Sequence, residues 1–103
     1  PLYDAPAAAG RAPLKLLESL ACGTPVLTSD VGERAALLGA AGALAPAGEG
    51  AALGRAIAAL LADPARLSRM AALAPARVAP YDWAQLARPL LGALTDPLSP
   101  EAR

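Results

Sequence analysis

The chain has 103 residues, 55% of them hydrophobic, and its nine basic and nine acidic residues give a formal net charge of zero. Zero net charge argues against the general electrostatic attraction that holds nucleic acid or an anionic membrane, so any anion site has to be local. One cysteine and no histidine exclude an internal disulfide, an ordinary zinc or iron site, and catalysis by a serine–histidine or cysteine–histidine pair.

The length fits one small domain with a thin hydrophobic core. Single cores usually span about 50 to 200 residues. Here, however, alanine supplies much of the apolar content, and the aromatic residues are one tryptophan and two tyrosines. A single cysteine is typical of a reducing compartment, so we expect a cytoplasmic location. Residues 1–4 lack the features of a signal peptide, and we expect them to come from the middle of a longer protein.

Residues 1–11 are predicted as a loop that leads into a leucine-rich first helix. Pro13 suits the first turn of this helix, because proline has no N–H and the first turn leaves N–H groups unpaired. Gly23 is predicted to end the helix, since helix ends favour a glycine in the left-handed conformation. Cys22 beside it is predicted to pack as a small apolar residue.

Two short strands are predicted around a short helical turn. Residues 26–28 form an apolar run of the kind that is buried on both faces of a parallel sheet. Residues 29–32 are predicted as a loop and residues 33–38 as a helical turn. Residues 43–45 are then a second short strand, which gives the region a strand–helix–strand order.

Helices are predicted through the second half of the chain. Residues 49–62 carry an apolar stripe at helical spacing. Asp63 is expected to cap the next helix with Pro64 at its first position, and Pro75 is expected to kink or end that helix.

Asp82 is predicted to cap a last helix, which Trp83 anchors to the rest of the protein. After Pro97 the composition becomes polar, and residues 98–103 are predicted to be a frayed tail. The order of elements indicates an α/β fold with short parallel strands and several helices. Since two short strands cannot form an independent parallel sheet, residues 1–97 are interpreted as the second half of a doubly wound domain.

The start of the first helix is predicted to bind an anion. Free N–H groups and the positive end of the helix dipole lie at residues 10–14, and Arg11 and Lys15 add positive charge there. Glu18, one turn further along, can accept hydrogen bonds from two neighbouring hydroxyls such as those of a ribose. The alternative is that Lys15 and Glu18 form an ordinary surface pair and that Arg11 is a solvated charge.

A second group of candidates follows the first strand. Ser29, Asp30 and Gly32 come directly after its carboxyl end, where open α/β sheets bind ligands. Capping of the following turn by Ser29 or Asp30 is the structural alternative.

The run "PLKLLESLACGTPVLTSDVGE" resembles the C-terminal nucleotide-sugar domain of the retaining GT-B glycosyltransferases, the glycosyl transferases group 1 or family 4 type. The later segments "GALAPAGEGAALGRAIAALLADPARLSRM" and "YDW" resemble the strand, long helix and closing segment of that family. The resemblance covers residues 3–95 and implies a Rossmann-like GT-B half-domain.

By position, the resemblance implies that Glu18 is the second of the two acidic residues in the family's motif, the glutamate that binds the ribose of the nucleotide. The first acidic residue of the motif falls on Gly10 and is absent. The resemblance therefore leaves Arg11 and Lys15, with the backbone of Ala12 and Leu14, as the candidates for the diphosphate, and Ser29, Asp30 and Gly32 as the rim of the donor site. No catalytic residue can be assigned.

The implied reaction is transfer of a hexose from a nucleotide diphosphate sugar, linked to UDP, GDP or ADP, to an acceptor hydroxyl with retention. The implied acceptor is a lipid, a glycan or a small molecule, held by an N-terminal domain outside this sequence. The reaction would need no metal and no cofactor, this part alone would be inactive, and the location would be cytoplasmic or peripheral at the inner membrane. The alternatives are a non-catalytic scaffold of the same fold used for association, and a nucleotide-sugar epimerase.

Overall fold

The computed structural model describes residues 3–11 and 13–95. The helices are α1 (Pro6–Ala9), α2 (Leu14–Ala21), α3 (Arg34–Leu38), α4 (Gly50–Leu61), α5 (Pro64–Val78) and α6 (Trp83–Thr95); the strands are β1 (Val26–Ser29) and β2 (Gly42–Ala45); and 3-10 turns lie at Gly39–Ala41 and Ala79–Tyr81. The predicted tail, the domain boundary after Pro97 and the candidate Ala12 lie outside the described residues.

The two strands pair in parallel as the centre of a mixed α/β fold. Val26 lies opposite Gly42, and Ser29 lies opposite Ala45. The N–H of Asp30 donates to the carbonyl of Ala45 at 2.8 Å, so the pairing continues one residue beyond β1. The predicted α/β class with short parallel strands and several helices is confirmed. The strand is buried at its two ends and half-buried between them, rather than buried throughout.

Helix α2 ends as predicted at Gly23 and begins one residue later than predicted, with Pro13 at the N-cap rather than in the first turn. Pro13 stands directly before its first residue, and Gly23, with φ of 71°, lies just beyond its last turn. The prediction for Cys22 was wrong, because its side chain is exposed. It occupies the C-cap position of the helix. The predicted loop at residues 1–11 also contains one helical turn, α1.

The hydrophobic core is small and depends on close approach between the backbones of neighbouring helices and strands. Its buried members come from α2, β1, α3, α5 and the first 3-10 turn: Leu20, Val26, Leu37, Leu38, Ala41 and Ala74. Leu20 and Leu38 are the largest fully buried side chains. A Cβ on Gly42 would lie 2.7 Å from a methyl carbon of Leu38, so glycine allows β2 to lie against α3. Small residues therefore substitute for the missing aromatics by bringing backbones together.

Helix α5 begins as predicted and ends later than predicted. The carboxylate of Asp63 accepts a hydrogen bond from the N–H of Arg66 at 2.9 Å, which caps the helix. Of the two expectations for Pro75, that it kinks or ends the helix, the second was wrong, because the helix continues to Val78. Proline removes one N–H donor from a helix, but Ala74 is buried before it and Val78 packs against the core after it. Packing on both sides thus retains the helical path.

Helix α6 extends away from the core. The carboxylate of Asp82 accepts from the N–H of Ala84 at 2.8 Å, which confirms the predicted cap. Trp83, predicted as an anchor, is 84% exposed, because α6 makes its main contact with the second 3-10 turn. The radius of gyration is 16.8 Å, against about 13 Å for a compact domain of 100 residues. No helix among residues 3–11 and 13–95 is long and apolar enough to cross a membrane.

Candidate functional site

The starts of α2 and α3 and the end of β1 lie at one edge of the sheet. Residues 22–25 join the end of α2 to the start of β1, so α2 runs back along the strand and its start lies near the strand's carboxyl end. Residues 30–33 then lead from that same end of β1 into α3. This edge is the place where open α/β sheets bind ligands.

A cavity of about 350 Å³ lies between these elements. Gly10 and Arg11 line it before α2, Glu33 and Arg34 line it before and at the first turn of α3, and Tyr81 closes another side. Its apolar surface includes the leucines of α2 and α3 at positions 17 and 37. The charged lining consists of two guanidinium groups and one carboxylate, so the cavity is positive overall and suits an anion.

Arg34 is the most deeply buried charge that lines the cavity. Its side chain is 7% exposed. One guanidinium nitrogen, Nη1, donates to the carbonyl of Val31 at 2.9 Å. This bond ties the loop at residues 30–33 to the first residue of α3. The guanidinium of this cavity-lining residue is therefore tied to the preceding loop.

Gly32 brings the loop before α3 into contact with α1. Its φ is 61°, a left-handed conformation that favours glycine. A Cβ at this position would lie 2.6 Å from the carbonyl oxygen of Ala9. Ala9 itself lines the cavity. Gly32 is thus needed for the close approach that forms this wall, although it does not line the cavity.

Glu18 lies in a second depression, a mostly apolar groove of about 530 Å³ on another side of α2. Leu14 lines the groove on the same helix, and residues from the end of α5 to the start of α6, including Trp83, form its opposite side. Glu18 is exposed at its edge. Leu17 and Tyr81 line both depressions, so the cavity and the groove are neighbours.

The remaining candidates lie around these depressions. Lys15 is exposed at the start of α2 and lines neither of them. Asp30 is exposed, whereas Ser29 is 3% exposed in β1; neither lines the cavity or the groove. Within the described residues, no group of three or more acidic or cysteine side chains could hold a metal ion.

Sequence reasoning missed Arg34 and Tyr81 as parts of the site. Arg34 could have been found, because it is a basic residue placed five positions after the last residue of β1, at the first position of the following helix. Tyr81 carries no such signal, since its place beside α2 depends on the length and direction of α5.

Comparison with known proteins gives two matches. A family model described as "Glycosyl transferases group 1" matches residues 2–63. The chain is also similar to a phosphatidyl-myo-inositol mannosyltransferase of Mycobacterium leprae (strain TN), with 37% identity over 93 residues, covering 87% of this chain and 25% of that protein. The chain therefore spans about a quarter of the length of the curated relative it matches. No solved structure matches it significantly.

Proposed function

Because the chain belongs to the glycosyl transferases group 1 family, we propose that it forms part of the donor site of a retaining hexosyltransferase of the GT-B fold. The enzyme transfers the hexose of a nucleotide diphosphate sugar to an acceptor hydroxyl. Residues 1–97 represent part of the C-terminal donor-binding domain. The similarity to a mannosyltransferase favours a mannosyl donor.

One observation carries the proposal: a positively lined cavity adjoins a groove that holds a carboxylate, with Leu17 and Tyr81 between them. A nucleotide diphosphate sugar has an anionic centre beside a ribose with two neighbouring hydroxyls. Arg11 in the cavity suits the diphosphate, and Glu18 in the groove suits the ribose. The proposal thus places the two adjacent groups of the donor in two adjacent depressions beside α2.

The chain's contribution to the reaction is to stabilise the leaving diphosphate. As the bond between the anomeric carbon and the diphosphate oxygen breaks, negative charge grows on that oxygen. In this proposal Arg11 and Lys15, with backbone N–H groups at Ala12 and Leu14, stabilise that charge. Ser29, Asp30 and Gly32 belong to the rim of the donor site.

The acceptor oxygen forms the new bond to the anomeric carbon and loses its proton. In this proposal, another domain of the full-length protein binds the acceptor, a lipid, glycan or small molecule, and takes the proton. Residues 1–103 alone are then inactive. The protein works in the cytoplasm or at the inner membrane surface, and cell fractionation that places it elsewhere would contradict that location.

Calorimetric titration of the full-length protein with UDP, GDP and ADP tests the proposal. Glu18→Ala is expected to weaken binding of the nucleotide with the highest affinity by about 1 to 3 kcal/mol, as for a lost hydrogen bond to a charged group. Glu49→Ala is the matched control, since this exposed glutamate precedes α4 and its side chain caps nothing. Equal affinity in the Glu18 variant would remove that residue from the site. Absence of nucleotide binding, together with a concentration-dependent oligomer, would favour the association scaffold instead.

A further inference from the structure

Arg34 carries a buried positive charge that the rest of the described structure does not neutralise. Its side chain is 7% exposed, and its hydrogen-bond partner is an uncharged carbonyl, that of Val31. Among residues 3–11 and 13–95, no carboxylate forms an ion pair with it. Arginine stays charged in proteins. An enclosed charge without a countercharge is costly, so this position favours an anion beside the guanidinium.

Arg34 lines the cavity and keeps two guanidinium nitrogens unused by the described residues. Nη1 donates to Val31, and the other two guanidinium nitrogens make no hydrogen bond within the described residues. No side-chain nitrogen or oxygen there is both fully enclosed and without a partner, so these two nitrogens retain access to solvent. Since Arg34 lines the cavity at the edge of the sheet, its free donors are available to an occupant of that cavity.

We propose that Arg34 binds the diphosphate of the donor inside this cavity, together with Arg11. The bond to Val31 holds the guanidinium in place, and the remaining nitrogens donate to phosphoryl oxygens as a fork. This inference rests on the proposed function for the identity of the donor. The inference assigns the stronger contact with the diphosphate to Arg34 at the start of α3, twenty residues beyond the start of α2.

Titration of the full-length protein compares wild type with Arg34→Gln, using a nucleoside diphosphate, the matching nucleoside and inorganic pyrophosphate. The loss of charged hydrogen bonds is expected to lower the affinity for the nucleoside diphosphate and for pyrophosphate about 10- to 100-fold. The affinity for the nucleoside is expected to stay the same. Arg69→Gln is the control, because this exposed arginine of α5 lies outside the cavity. Thermal melting establishes that each variant is folded.

The outcomes separate the inference from the proposed function. If wild type binds the nucleoside diphosphate and folded Arg34→Gln binds it equally well, the inference is overturned and the proposed function stands. If wild type binds pyrophosphate through Arg34 but no nucleoside diphosphate, the anion site stands and the proposed donor is wrong. If wild type binds neither the nucleoside diphosphate nor pyrophosphate, both the inference and the proposed function are overturned. Should Arg34→Gln fail to fold, Arg34→Lys, which lacks the planar fork, is expected to bind the diphosphate about 3- to 10-fold more weakly, and equal affinity would overturn the inference.

Discussion

Replacement of Gly32 by alanine tests whether the loop before α3 forms the wall of the cavity. At φ of 61°, a residue with a Cβ costs about 1 to 2 kcal/mol in the left-handed region. The new Cβ would also lie 2.6 Å from the carbonyl oxygen of Ala9, and overpacking of this kind costs about 1 to 3 kcal/mol. The expected loss of stability is therefore about 2 to 5 kcal/mol.

The matched control is the same substitution at Gly54, within α4. A Cβ there meets nothing within 4 Å, so Gly54→Ala is expected to stabilise the helix by about 0.5 to 1 kcal/mol. Chemical denaturation of the full-length protein measures both changes in stability. Nucleotide titration measures whether binding in the cavity also changes. Because the backbone has to shift away from α1, Gly32→Ala is also expected to weaken binding. Equal stability of the two alanine variants would refute the described contact between the loop and α1.

Two further substitutions test how α3 is held, each by denaturation with a control of the same residue type. Arg77→Met removes the hydrogen bonds from this arginine of α5 to carbonyls near the end of α3. The expected loss of stability is about 1 to 3 kcal/mol. Its control, Arg69→Met, changes an exposed side chain of α5 and should alter stability by less than about 0.5 kcal/mol. Leu20→Ala, at a fully buried side chain, is expected to cost about 2 to 5 kcal/mol, whereas Leu61→Ala, at a side chain that is 70% exposed, should be nearly neutral. Equal effects within either pair would contradict the assigned burial or bonding.

Local signals predicted the elements of this fold well, because each depends on a few neighbouring residues. Asp63 and Asp82 were identified as caps from their positions before helices, and Gly23 from its place after one. Residues 43–45 were identified as a strand from a short apolar run. These features need no knowledge of the rest of the protein, which explains why the α/β class followed from the sequence.

Packing over long distances was harder to predict. Trp83 has the size and shape of an anchor, yet it is 84% exposed, since nothing in its own segment specifies what covers it. Pro75 carries a strong local signal for a helix end, yet the helix continues, with Ala74 buried before it and Val78 packed against the core after it. The cavity likewise joins Arg11 to Arg34, and their proximity depends on how α2 and α3 lie against β1 rather than on any single motif.

Arginine side chains complete the support that the thin core gives to α3. At the start of this helix, Arg34 ties the preceding loop to the helix through the carbonyl of Val31. At its end, Arg77 of α5 donates Nε to the carbonyl of Leu37 at 3.0 Å and Nη2 to that of Ala36. A positive group at a helix C-terminus is also favoured by the dipole. A Cβ on Gly39 would lie 2.9 Å from the guanidinium carbon of Arg77, so glycine makes room for this contact. The helix that carries a wall of the cavity is thus fixed at both ends by directional bonds, which compensates for the few large side chains beneath it.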